Sequence, residues 1–414
     1  MTLRIVRWSA ALVTMLAVMR PTMMLGQDDT TAAKKPELTV YGFVQNDIIG
    51  DFGTNDPDWF DMVRPTKLPS FDGEFGKNGH FYESVRQSRF GVKGATPTPL
   101  GVLFARFEFD MTGIGAQAGQ TQVRLRYAYG ELGAFGIGQM NSLFMDLDIF
   151  PNTLEAWGPN GMVFFRNIQV RWSPIRGESE LAFALERPGA SGDAGVFTDR
   201  VELANISARF PSPDFSAHYR WGHPTWYVQL AGMLSPIYWD DLASSSTRNL
   251  SGSTVGWGLN LSSRINVGDR GSQLKLQAIY GKAVENYMND APIDIGVKTN
   301  PGNVFQPFLG VPLPVFGLVA FYDHTWNKHW TSSIGYSQVN IENSESQLPT
   351  DFRLGQYALA NVLYTPVKDF LVGLEGQWGQ RQNKSNGYTF NDYRLQFTGK
   401  FNFGHTFVFG GSQQ

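Results

Sequence analysis

The 414-residue chain contains no cysteine, which removes disulfide frameworks and thiolate chemistry together. Beyond its amino terminus it also lacks any run approaching the ~18 uninterrupted apolar residues that a membrane-crossing helix needs. That argues against a helical membrane protein and leaves a β-barrel open, because barrel strands are apolar only at alternate positions. Charge is sparse. Charged residues make up 17% of the chain against 14% aromatics and 45 glycines, a balance that suits many short strands with tight turns better than long helices. The six histidines (His80, His218, His223, His324, His329 and His405) show no H-E-x-x-H or other paired ligand spacing, so neither a metal nor a cofactor is expected. The G-A-F-G-I-G of residues 133–138 has no helix after it, and turn glycines account for it better than a nucleotide loop does.

What is present begins with an export signal. Arg4 and Arg7 precede an apolar run over residues 10–19, and cleavage near Gly26/Gln27 makes 1–26 a signal peptide and 27–37 a short polar periplasmic segment. Loss of Arg4, Arg7 and Arg20 takes the formal charge from -3 to -6, and a mildly acidic mature chain disfavours a nucleic-acid partner.

From Leu38 onward one unit recurs: an alternating run, a short turn, a second alternating run and a longer polar segment. In residues 393–403 one face carries Tyr393, Leu395, Phe397, Gly399, Phe401 and Phe403, and the other Arg394, Gln396, Thr398, Lys400 and Asn402. The same sidedness sets Leu103, Ala105, Phe107 and Phe109 against Arg106, Glu108 and Asp110, and Val123, Leu125, Tyr127 and Tyr129 against Arg124 and Arg126. Polar residues thus face one way on strand after strand, with no apolar inner set, which points to a wet bore inside a greasy exterior. Short turns are expected at 96–101, 132–136, 173–177, 222–225, 267–272, 327–329 and 365–369. Seven turns and eight longer connections imply sixteen strands, so residues 38–414 are expected to form an all-β, transmembrane antiparallel β-barrel with long extracellular loops and short periplasmic turns. The segment 200–210 looks strand-like and is assigned to a structured loop.

Several segments carry a resemblance: V-Y-G-F-V-Q-N-D at 40–47, S-V-R-Q-S-R-F-G-V-K-G-A-T-P-T-P-L at 84–100, F-E-F-D-M at 107–111, V-Q-L-A-G-M-L at 228–234 and W-G-L-N-L at 257–261. The chain resembles the DcaP-like family of trimeric outer-membrane porins, associated with uptake of dicarboxylic and other small organic acids. The resemblance implies a trimer, a pore narrowed by inward-folded loops, and residence in the outer membrane of a Gram-negative bacterium after insertion by the barrel assembly machinery. Two departures stand out. Some members have a long helical extension where this chain has only residues 27–37, and the chain continues past Phe403, which makes Phe409 an alternative end for the last strand.

A pore selects by width and by the charges lining it. The alternation assigns an inward basic set of Arg89, Lys93, Arg106, Arg124, Arg126, Arg171, Arg220, Arg264, Lys275, Arg381, Arg394 and Lys400. The inward acidic set is shorter, at Asp47, Glu108, Asp110, Asp323 and Glu375. This wall predicts a passive channel for small hydrophilic solutes that prefers organic anions such as dicarboxylates, with Arg89, Arg106, Arg124 and Arg126 as the centre of a ladder. Pairing of these arginines with loop carboxylates as plain wall filling is the competing reading. Residues 141–161 follow the fifth strand and are expected to form an inward constriction loop, with Asp146, Asp148 and Glu155 facing the basic wall and setting a transverse field. An outer-membrane enzyme of lipase or protease type is the alternative function, but no spacing joins Ser or Asp to His. The expected partners are outer-membrane lipid and small anionic solutes and, as the resemblance implies, further copies of the chain.

Overall fold

The computed structural model describes residues 35–269 and 271–410; the expected signal peptide and most of segment 27–37 lie outside the described residues. Sixteen long strands form the wall: β1 (Glu37–Asp51), β2 (Arg89–Thr98), β3 (Gly101–Thr112), β4 (Thr121–Leu132), β5 (Phe135–Asn141), β6 (Arg166–Ile175), β7 (Glu180–Glu186), β8 (Asp214–His223), β9 (Trp226–Asp241), β10 (Gly252–Val267), β11 (Ser272–Lys282), β12 (Pro314–Thr325), β13 (Trp330–Ile341), β14 (Phe352–Val367), β15 (Phe370–Asn383) and β16 (Thr389–Val408). All neighbours are antiparallel, and β1 closes on β16 from Glu37↔Val408 to Asp51↔Arg394. Closure removes the free edge that a bilayer would leave unsatisfied. The seven short turns fall where the sequence placed them. The loops at the other rim are L1 (52–88), L2 (113–120), L3 (142–165), L4 (187–213), L5 (242–251), L6 (283–313), L7 (342–351) and L8 (384–388). Within 200–210, Ile206–Arg209 pairs with residues 238–241 at the top of β9, so this segment is a structured part of L4. The last strand continues past Phe403 to Val408.

The period-two pattern sets the face of each residue. On β16, Leu395, Phe397, Phe401 and Phe403 are exposed outward, while Arg394, Gln396 and Thr398 are buried inside the barrel. Aromatic pairs flank the short turns: Trp221 and Trp226 with ring centroids 5.2 Å apart, Trp330 and Tyr364 at 4.4 Å, Phe370 and Phe401 at 4.6 Å. They mark one interface of the apolar band.

Two expectations are corrected. Tyr127 and Tyr129 do not stay on the outer face with Leu125. The register of β3 on β4 slips between Glu108↔Tyr127 and Phe109↔Leu125, leaving Arg126 as an extra residue. This bulge inverts the alternation beyond it. Tyr127 becomes buried and donates to Asn141 across 2.9 Å, and Tyr129 pairs in register with inward Arg106. The interior is also not uniformly polar. Ala231, Met233, Ile279, Val315, Val319, Phe321 and Val339 face inward on β9 to β13 and pack against Phe144, Ile149, Met162 and Val163 of L3. On this side the bore holds an apolar core, with the loop as its second layer.

Leu374 lies on the outward face near the middle of β15. Leu374→Arg should cost about 2–4 kcal/mol in equilibrium unfolding from phospholipid vesicles, the penalty for a cation near the bilayer midplane.

Candidate functional site

A chain folded into a barrel brings backbone N–H and C=O groups into a space with little water, and each needs a partner. L3 finds its partners on the wall as it crosses from β7 to β15. Glu186 of β7 accepts from Ser142 Oγ at 2.7 Å and from the Leu143 N–H at 3.3 Å. Asn260 of β10 donates to the Phe144 carbonyl at 2.7 Å, and Lys275 of β11 to the Phe150 carbonyl at 2.7 Å. Glu375 of β15 accepts the Leu154 and Glu155 N–H groups at 2.8 and 2.9 Å. Two glycines permit the approach. A Cβ on Gly258 would stand 2.7 Å from the Phe144 ring, and one on Gly161 only 1.9 Å from the Gln338 carbonyl oxygen.

L1 is held in the same way. Arg394 donates to the carbonyls of Phe60 and Met62, both at 3.1 Å, and Arg381 to those of Thr66 and Leu68 at 3.0 and 3.3 Å. Arg64 of L1 lies between the rings of Trp59 and Trp157, 4.1 and 4.2 Å from their centroids, and pairs with Asp290 of L6 at 3.0 Å. One guanidinium therefore joins L1, L3 and L6.

Between these loops and the wall of β1, β2, β4, β6 and β16 lies a cavity of about 750 Å³. The inward basic set divides around it. Arg89, Arg124, Arg126 and Lys400 line the cavity. Arg106 stands beside them, 2.6 Å from Glu108. Behind the ladder Glu108 also meets Arg126 at 2.8 Å and Arg89 at 3.6 Å, while Asp110 meets Arg124 at 2.5 Å and Arg126 at 2.9 Å. Both carboxylates are almost fully buried, and each is met by more than one guanidinium, the arrangement in which a buried charge is best compensated. Lys93 pairs in register with Arg106, and Arg264 lies near the turn after β10, 5.4 Å from the Tyr227 ring. Arg171, Arg220, Lys275, Arg381 and Arg394 are anchors: Arg171 donates to the Asn141 carbonyl, and Lys275 also pairs with Asp323 at 2.8 Å.

The acidic residues of L3 are placed differently from the expectation. Asp146 and Asp148 turn to the wall under the loop and both bind Arg220, at 3.0 and 2.7 Å. Tyr227 and Ser262 also donate to Asp146, at 2.8 and 2.6 Å. Glu155 is buried and accepts the N–H groups of Val63, Trp157 and Gly158 and the hydroxyl of Tyr357. Its carboxylate thus spans L1, its own loop and β14 instead of pointing across the bore. The L3 surface that faces the cavity is largely apolar: Leu147, Phe150, Ala156, Trp157, Phe164 and Phe165.

Sequence reasoning missed Arg64 and Arg166. Arg64 lies in a loop, where alternation says nothing. Arg166 has the parity of outward Ile168 and Val170, but as the last link between L3 and β6 it turns inward and lines the cavity.

Burial pushes the Glu155 carboxyl up to about 7; the N–H groups of Gly158 and Trp157 oppose this and the charge of Glu375 adds to it. A carboxyl raised above its ordinary 4.5 contributes fully at low pH, and its contribution is lost as pH rises through about 7. Open-channel current noise should therefore increase between about pH 5 and about pH 8 as L3 loosens, and Glu155→Gln should flatten that dependence.

A family model described as DcaP outer membrane protein matches residues 24–403. Among curated protein sequences none matches the chain. Among solved structures, the outer membrane channel DcaP of Acinetobacter baumannii is similar with a TM-score of 0.71 at 18% identity, covering 92% of this chain and 100% of that one. An anion-selective porin from Comamonas acidovorans follows at 0.55 and 10% identity, covering 89% and 100%. Salmonella typhi OmpF in complex with daunomycin stands at 0.52 and 11% identity, covering 88% and 97%. At these identities the structural likeness speaks for the fold alone.

Proposed function

Because this chain belongs to the DcaP outer membrane protein family, and so is a channel-type β-barrel of the Gram-negative outer membrane, we propose that it is a passive diffusion channel preferring small organic anions, dicarboxylates among them. The observation that carries this reading is the charge balance of the cavity wall. Arg89, Arg106, Arg124 and Arg126 surround two carboxylates, Glu108 and Asp110, so the group holds two positive charges in excess. Lys400 and Arg166 line the same space and, among the described residues, have no carboxylate within ion-pairing distance. An excess of cation in a narrow tube of low dielectric raises the local concentration of anions. The barrel from Comamonas acidovorans, an anion-selective porin of similar fold, is in keeping with this reading.

L3 serves as the constriction in this reading, through its bulk and its apolar face, while the basic wall supplies the charge. The working assembly is a homotrimer, exported on the signal peptide 1–26 and inserted by the barrel assembly machinery. Unheated electrophoresis should show an oligomer, and amino-terminal sequencing of the purified protein should begin near Gln27.

The zero-current potential across a planar bilayer in a KCl gradient tests the main proposal. The wild-type channel should show chloride preference, and Arg89→Gln combined with Arg124→Gln should move the potential toward zero; potassium preference in the wild-type protein would falsify the reading. Deleting residues 142–165 should raise single-channel conductance, and an unchanged conductance would count against L3 as the constriction.

A further inference from the structure

The cavity has two unlike walls, and neither alone explains the other. Two of its cations, Arg166 of β6 and Lys400 of β16, are each seated against an aromatic ring. Arg166 lies 5.2 Å from the Phe164 ring centroid and 5.9 Å from that of Tyr127, and Lys400 lies 3.8 Å from that of Phe43. The Nη1 atom of Arg166 is buried without a hydrogen-bond partner, whereas its neighbours Arg124 and Arg126 are already bound to Asp110. L3 presents Phe150, Trp157 and Phe165 to the same space; its Asp146 and Asp148 are held on Arg220 of the wall, and its Glu155, which also lines the cavity, already accepts the N–H groups of Val63, Trp157 and Gly158.

We propose that this cavity binds organic anions that carry an apolar body, with the carboxylate on Arg166 and the aromatic or branched-aliphatic part against the L3 face. The proposal rests on the anion-preferring reading and narrows it. A guanidinium lacking a carboxylate partner offers the fork that a carboxylate fits. A small inorganic anion satisfies that charge but leaves the aromatic face wet. A neutral apolar molecule covers the aromatic face but leaves the guanidinium without a counter-charge. An amphipathic monoanion satisfies both walls at once, and the volume of about 750 Å³ lies in the range of small-molecule sites.

The test is current block of the full-length protein in planar bilayers by benzoate, acetate and succinate, with the KCl zero-current potential recorded on the same channels. Benzoate and acetate carry the same charge, so their difference reads the apolar wall. Benzoate should block at a concentration about tenfold below acetate, as expected for burying one ring face. It should also block below succinate despite carrying half its charge. Arg166→Gln should raise the benzoate blocking concentration at least about fivefold, with Arg166→Lys recovering part of the loss, and Phe150→Ser should bring benzoate close to acetate. A chloride-preferring channel that benzoate and acetate block equally overturns the apolar-body inference and leaves the anion-preferring function standing. Potassium preference overturns both.

Discussion

The structure depends on finding partners for the backbone of chain folded into the barrel. L1 and L3 enter the bore, and each peptide unit they bring must exchange water for a protein partner or incur the cost of an unmade hydrogen bond, of order 1–3 kcal/mol. The wall meets this requirement with its charged side chains. Glu186 and Glu375 accept N–H groups of L3, while Lys275, Arg381 and Arg394 donate to carbonyls of L3 and L1. A charged wall and an inward loop are therefore complementary parts of one arrangement. The charges would be costly to bury without the loop's dipoles, and the loop could not lie down on an apolar wall.

This use of charge shapes the pore. Arginines that hold down loops no longer present a free charge to a solute, so the effective electrostatics of the bore come from the sector that the loops leave uncovered, on β1 to β6 and β16. The bulge at Arg126 strengthens that sector. It brings Arg126 and Tyr127 inward together, setting one beside Glu108 and Asp110 and the other beneath the guanidinium of Arg106, 4.3 Å from the ring centroid. Meanwhile Arg220 draws Asp146 and Asp148 to the far side of L3, so the loop's solvent face is left to its aromatic residues. The result is a passage with a cationic wall and an apolar wall in place of the opposed charges of a transverse field.

Much of the fold was legible because its signals are local. Alternation over ten residues, a turn such as T-P-V-K-D, and the aromatic residues beside it are read from a short window, and all seven turns and sixteen strands follow from such windows. The sidedness failed at Tyr127 and Tyr129, where one extra residue reverses parity without any mark in the pattern itself. It also failed for the inward apolar residues of β12, since Val315, Val319 and Phe321 alternate with the equally apolar Phe316, Leu318 and Ala320 and so give no contrast. Many of the basic residues of the bore could be named from sequence, though not Arg64 or Arg166, but their division into lining and anchoring groups could not.

The sequence by itself determined a closed antiparallel barrel, its strand count and the excess of cationic side chains on its inner face, because a two-residue period and turn chemistry are properties of neighbouring residues. Only the tertiary structure decided which of those cations still face a solute. That depends on where L1 and L3 come to rest, and the contacts that fix them join residues as distant as Leu154 and Glu375 or Met62 and Arg394. No local pattern encodes such pairings, since the loop's position is set by the sum of many hydrogen bonds and packing contacts formed only once the barrel has closed.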